Sequence, residues 1–243
     1  MAVTELNFDN IIFDLDGTLT DPQEGFVTSI GFALRSLGRQ APPAEELCRF
    51  IGPPIHGTFQ SLLGTDDSAV VEKAVGLYRR RLGAEGIREN VADTGVAEML
   101  TGLKAAGRAL FVATAKPLEF AVPILEHCGL KDFFTGVYGS DLGRTNTPKG
   151  ELIRAVLDDW HVATDSAAMI GDRSHDIVGA KENGVYSVGV TYGYGSAAEL
   201  REAGVDLLCN SPEQLGILLF GFTLTRLAKP PSSVSSTTIQ RVS

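Results

Sequence analysis

The chain has 243 residues, 44% of them hydrophobic and 21% charged, the balance of a globular protein with enough apolar mass for one large or two modest domains. Acidic residues outnumber basic ones by 30 to 21, a formal charge of −9, which argues against a surface built to neutralise nucleic-acid phosphates. The three cysteines, Cys48, Cys128 and Cys209, show no CxxC or Cys/His spacing and read as small hydrophobes of a reducing compartment. The first residues lack the order of a secretory signal, and the longest apolar stretch, residues 215–222, is too short to span a bilayer. A cytoplasmic protein is expected.

From the N-terminus, the first element is a continuously apolar run at 10–15 (NIIFDL), which is how a strand buried on both faces of a parallel sheet reads. Residues 21–91 then carry helical periodicity and no convincing strand. Phe26, Ile30, Ala33, Leu34 and Leu37 mark a helix closed by Gly38. Residues 69–82 mark another, with Val70, Ala74, Leu77 and Tyr78 opposed to Arg79, Arg80 and Arg81, read as a solvated face. Beyond the capping candidates Asp93 and Thr94, Val96, Leu100 and Leu103 predict a helix stopped by Gly107. A strand at 109–114, a helix at 117–128, a strand at 167–171, a helix at 175–183 and strands at 185–191 and 205–208 follow. This alternation predicts a doubly wound α/β parallel sheet with right-handed crossovers. It is expected to comprise 1–20 and 92–228, with 21–91 inserted as an all-helical domain on two hinges and 229–243 as a mobile tail.

The informative segment is FDLDGTLT, residues 13–20. Ile11, Ile12 and Phe13 are strand-like, which places Asp14 at the carboxyl end of the first strand, where ligands sit in open α/β sheets. Alternating side-chain direction lets Asp14 and Asp16 share a face, and Gly17 permits a sharp backbone departure. Two carboxylates so close repel each other in a dry site, and either a proton on one or a cation between them relieves the repulsion. A second acidic string, GDRSHD at 171–176, ends another apolar strand in Asp172 and puts Asp176 within or before a first helical turn. Strand ends of a parallel sheet converge, so Asp14, Asp16, Asp172 and Asp176 are expected to form one cluster of hard oxygen donors suited to Mg2+. Thr114 ends the strand ALFVAT, where its hydroxyl and the following backbone N–H groups, starting at Ala115, can hold a phosphate oxygen. Lys149, just ahead of the helical ELIRAVL, can reach the same place.

FDLDGTLT, VATAKP, TPKGELI and IGDRSHDIVGA, in this order, resemble the four motifs of the haloacid dehalogenase-like phosphohydrolases over about residues 8–215, and the helical insertion resembles the cap placed after their first motif. GPPI in the insertion and TYGYGSAAEL after a late strand are similar to the phosphoglycolate phosphatase-like branch. The resemblance implies that Asp14 is a nucleophile that becomes an aspartyl phosphate, and that Asp16 protonates the leaving oxygen and then activates water. It implies that Thr114 and Lys149 bind the transferring phosphoryl group, and that Asp14, the backbone carbonyl of Asp16 and Asp172 hold Mg2+, supported by Asp176. Ala115 stands where many relatives have Asn or Ser, and Lys149 precedes Gly150 rather than Pro. Neither departure removes a charged catalytic group.

The stiff turn of Gly52, Pro53 and Pro54 interrupts the helical pattern and is expected to close over the site, with Arg49 and His56 as substrate contacts. The reading is therefore a Mg2+-dependent phosphomonoesterase acting on a small phosphorylated metabolite, without nucleic-acid or membrane partner, as a monomer or dimer. A 5'-nucleotidase, a sugar-phosphate phosphatase and a phosphomutase are alternatives on the same residues. A regulatory phosphotransfer or interaction protein is an alternative of another class. Asp16 argues against a dehalogenase or a phosphonate-cleaving enzyme, relatives of which resemble one another in lacking a carboxylate there.

Overall fold

The computed structural model describes residues 6–143, 147–220 and 238–241. In chain order the elements are β1 (Asn10–Phe13), β2 (Thr20–Asp21), α1 (Gln23–Ser36), α2 (Ala44–Cys48), α3 (Ile55–Leu63), α4 (Ser68–Ala84), β3 (Val91–Ala92), α5 (Val96–Ala105), β4 (Ala109–Pro117) and α6 (Leu118–His127). There follow β5 (Gly136–Ser140), α7 (Lys149–Trp160), β6 (Ala167–Gly171), α8 (Ser174–Glu182), β7 (Tyr186–Val190), α9 (Ala197–Glu202), β8 (Leu207–Cys209), α10 (Pro212–Phe220) and β9 (Thr238–Arg241). The main sheet is parallel throughout, in the order β8-β7-β6-β1-β4-β5-β9. Phe13 of β1 is in register with Val112 of β4 on one side and Ile170 of β6 on the other. The direction of winding reverses about β1, so the carboxyl ends of β1, β4 and β6 open one crevice.

Strand alternation divides the core. Ile12, Phe111, Ala113 and Met169 are buried with Leu152, Ile153 and Val156 of α7. Ile11, Phe13, Leu110, Val112 and Ile170 are buried in a second cluster that takes in Val96, Leu100 and Leu103 of α5 and runs on into the helical segment. Covered on both faces, these strands read as continuous apolar runs. In the helical segment Tyr78 packs edge-on against Phe26 and Phe59, with ring centroids 5.9 and 6.1 Å away, a preferred aromatic geometry.

The structure corrects several local readings. Val71, Ala74, Val75, Tyr78 and Leu82 are the buried face of α4, whereas Val70 is 39% exposed. The chain enters and leaves the helical segment through a two-residue antiparallel ribbon, Thr20 opposite Ala92 and Asp21 opposite Val91, too short for periodicity to reveal. Helix α5 is capped by Gly95 at φ 88°, with no side-chain bond from Asp93 or Thr94. Instead, the Asp93 carbonyl accepts the Val96 N–H at 3.1 Å. Strand β5 escaped the sequence reading because its five residues, GVYGS, include two glycines. Of the tail expected over 229–243, the described part is β9, paired with β5 from Gly136↔Thr238 to Gly139↔Arg241, and the rest lies outside the described residues. Cys209 is buried, Cys48 and Cys128 are half-buried, and all three are free thiols. Among the described residues, no helix is long and apolar enough to cross a membrane.

Candidate active site

Asp14 directly follows β1, and its backbone N–H bonds the Ile170 carbonyl at 2.9 Å. Lys149, the first residue of α7, is buried beside it. Its ammonium lies 2.7 Å from Asp14 Oδ1 and 2.8 Å from Asp176 Oδ1, and it donates to the Ala113 carbonyl at 2.8 Å. All three N–H donors of the lysine are thereby used. Burial alone would lower the Lys149 pKa, but attraction to Asp14 and Asp176 outweighs it and holds the group above its ordinary value. Burial raises Asp14 above the usual carboxylate range despite Lys149. Burial acts on Asp176 in the same direction, but Lys149, His175 and a 3.0 Å N–H donation from Arg173 win and keep that carboxyl low.

The other motif residues reach the crevice through an irregularity in β4. Its register with β5 passes from Thr114↔Gly139 to Pro117↔Ser140, so Ala115 and Lys116 bulge out of the ladder. Thr114 Oγ1 accepts the Lys116 N–H at 3.2 Å, and the Ala115 carbonyl accepts from Ser140 Oγ at 2.7 Å. The bulge directs Lys116 onto the first motif, with Nζ 2.9 Å from Asp16 Oδ2. Nothing in VATAKP marks Lys116 for this place, because a bulge leaves no mark in hydrophobic periodicity.

Whether these residues fit a cation is answered by their unpaired oxygens. Asp172 Oδ2 accepts the N–H groups of Tyr194 at 2.7 Å and Gly195 at 3.4 Å, but Asp172 Oδ1 and Asp16 Oδ1 are buried without a partner. Burial first, then the charges of Asp176 and Asp14, push the Asp172 carboxyl up to about 8. Orphaned carboxylate oxygens in a dry site are costly unless a cation meets them, and hard oxygens suit Mg2+. Asp14, His175 and Asp176 also offer ligand atoms within 4.8 Å of one another. Two glycines make room for this cluster. At Gly17, φ is 79° and a Cβ would lie 2.5 Å from Asp172 Oδ2, while a Cβ on Gly195 would strike the Asp172 carbonyl. Gly195→Ala therefore forces backbone apart; it is expected to cost about 1–3 kcal/mol and to lower Tm in a thermal melt.

The helical segment roofs the crevice. Arg173 bonds the Ile51 carbonyl and places Nε 3.1 Å from Glu199 Oε1, which docks the Gly52 turn on the core. The cleft beneath it has Asp16, His56, Tyr78, Arg79 and Lys116 in its lining. Of the two contacts anticipated in the insertion, His56 is there, with Nε2 3.0 Å from Glu72 Oε1 and Nδ1 buried and unpartnered. Arg49 is not: it sits exposed just past α2, outside that lining. The three consecutive arginines also part company. Arg80 is exposed, Arg81 binds Glu89 at 2.7 Å, and Arg79 turns into the cleft.

The model of the haloacid dehalogenase-like hydrolases matches residues 11–190. The chain belongs to this family. Among its relatives, a 5'-nucleotidase of Pseudomonas aeruginosa is 46% identical over 83% of this chain and 90% of its own. A tyrosine-protein kinase, PtkA of Mycobacterium tuberculosis, is 36% identical over 77% of this chain but 63% of its own length. A phosphoglycolate phosphatase of Caulobacter vibrioides is 29% identical over 85% and 89%. The crystal structure of a predicted phosphatase from Clostridium acetobutylicum superposes with a TM-score of 0.84 at 36% identity, covering 89% of this chain and all of that one. Within the haloacid dehalogenase-like family, this chain is a phosphatase.

Proposed function

We propose that the chain is a Mg2+-dependent phosphomonoester hydrolase that passes the phosphoryl group through Asp14, and that its substrate is a small phosphorylated metabolite held beneath the helical segment as a cap. The observation that carries this reading is the triangle of buried charges, Asp14 and Asp176 both within 2.8 Å of Lys149, beside the unpaired oxygens of Asp16 and Asp172.

In this reading Asp14 attacks phosphorus as Asp16 gives its proton to the departing ester oxygen, leaving an aspartyl phosphate and a free alcohol. Asp16 then takes a proton from water as the water oxygen attacks phosphorus, which releases orthophosphate and restores Asp14. Lys149 and the N–H groups of the β4 bulge after Thr114 offset charge on the equatorial oxygens. Asp14, the Asp16 carbonyl and Asp172, with Asp176 in support, would hold Mg2+, which would supply further positive charge against the phosphoryl group. Lys116, 2.9 Å from Asp16, orients that carboxyl toward the cleft. Asp16→Asn cannot cycle a proton, so kcat is expected to fall by about 10²–10⁴-fold in a steady-state assay.

A small leaving group, as in a phosphoglycolate phosphatase-like enzyme, is the first reading of the cleft between Asp16 and the helical segment. A nucleoside 5'-monophosphate is the second reading, favoured by the 46% identical relative. A panel of phosphomonoesters assayed with Mg2+ and again with EDTA tests the reading: turnover is expected with the metal and none after chelation. No turnover of any ester, or turnover indifferent to EDTA, would overturn it.

A further inference from the structure

The charges that line the cleft do not balance, and the surplus is one arginine. Asp16 is paired with Lys116 at 2.9 Å, and His56 shares a 3.0 Å hydrogen bond with Glu72. Among the described residues Arg79 has no carboxylate partner, donates only to the Leu142 carbonyl, at 3.1 Å, and has a buried Nε without a partner. The helix fixes this placement, since the neighbouring Tyr78 is locked between Phe26 and Phe59. A partly buried cation without a counter-charge is costly, and an anion arriving with a ligand offsets that cost. The planar guanidinium, with several N–H groups still available, matches the paired oxygens of a carboxylate or phosphate.

The transferring phosphoryl group belongs at the Asp14 and Lys149 end of the crevice, so an anion at Arg79 must be a second group on the same molecule. We infer that Arg79 selects phosphomonoesters whose leaving group carries its own anionic oxygens, a carboxylate or a second phosphate, over esters of neutral alcohols. This inference rests on the phosphatase reading and sharpens its substrate class.

Two esters of nearly equal size isolate the effect: 2-phosphoglycolate, with a carboxylate on the leaving group, and 2-hydroxyethyl phosphate, with a hydroxyl in its place. The readout is the ratio of their kcat/KM values with Mg2+ present, compared between the wild type and Arg79→Gln. Loss of a charge-assisted contact is expected to lower that ratio about 10- to 100-fold. Arg79→Lys, which keeps the charge but loses the fork, is expected to fall between the two, and it decides the matter if the glutamine variant does not fold. A ratio unchanged in both variants overturns the inference. So does a wild type that prefers the hydroxyethyl ester, or adenosine 5'-monophosphate, to phosphoglycolate. Absence of turnover with every ester would instead remove the phosphatase reading beneath it.

Discussion

Asp14→Asn is expected to abolish turnover while leaving the protein folded, or even raising its Tm. The amide cannot attack phosphorus, so no covalent intermediate forms, and kcat is expected to drop by about 10⁴-fold or more, as when other covalent nucleophiles are removed. The stability effect has the opposite sign because burial makes the Asp14 carboxylate expensive, as its raised pKa records. Asn keeps the shape and can still accept from Lys149, which retains Asp176 at 2.8 Å as its ionic partner. Active sites commonly carry such destabilising groups, and neutralising one trades activity for stability. A thermal melt and a phosphate-release assay on the same preparation check both halves. Residual activity within tenfold of wild type would show that Asp14 is not the nucleophile, and a Tm several degrees lower would show that its charge stabilises the fold.

The second large effect is linked to pH and metal. The Asp172 carboxyl titrates near 8 in the folded chain against an ordinary value of 3.8, so between those values the folded state holds a proton that the unfolded chain has given up. Stability from this group is complete below about pH 4 and lost as pH rises toward 8. Asp93, pushed up to about 6 by burial and by Asp21, acts in the same direction over the lower part of that range. Because a ligand carboxyl must lose its proton, the apparent Mg2+ affinity is expected to rise with pH, by up to tenfold per unit below about pH 8. The rise in Tm on adding Mg2+ is therefore expected to be larger at pH 8 than at pH 5.5, and Asp172→Asn is expected to remove most of it. A Mg2+ shift that shrinks with rising pH, or survives in the variant, would remove Asp172 from the ligand set.

The sequence by itself determined the parts of this protein that local chemistry dictates. Apolar runs ending in Asp14 and Asp172 had to be strands whose carboxyl ends carry acid, because a sheet covered on both faces leaves polar groups only its ends. Gly38 and Gly107 were legible as helix stops because each takes a positive φ, 71° and 78°, which a side chain resists. The ordered motifs then indicated the family.

Only the tertiary structure decided where charges meet. Lys149 and Asp14 are 135 residues apart in the chain, and no periodicity could show one ammonium placed between two aspartates. The β4 bulge turned Lys116 onto Asp16, and Arg79, read with Arg80 and Arg81 as a solvated face, was aimed into the cleft by the rotation of α4. Arg49 made the reverse passage, from anticipated contact to exposed surface. The physical reason is the same in each case: secondary structure follows from neighbours within a few residues, whereas the partner of a charge is chosen by packing between elements distant in sequence.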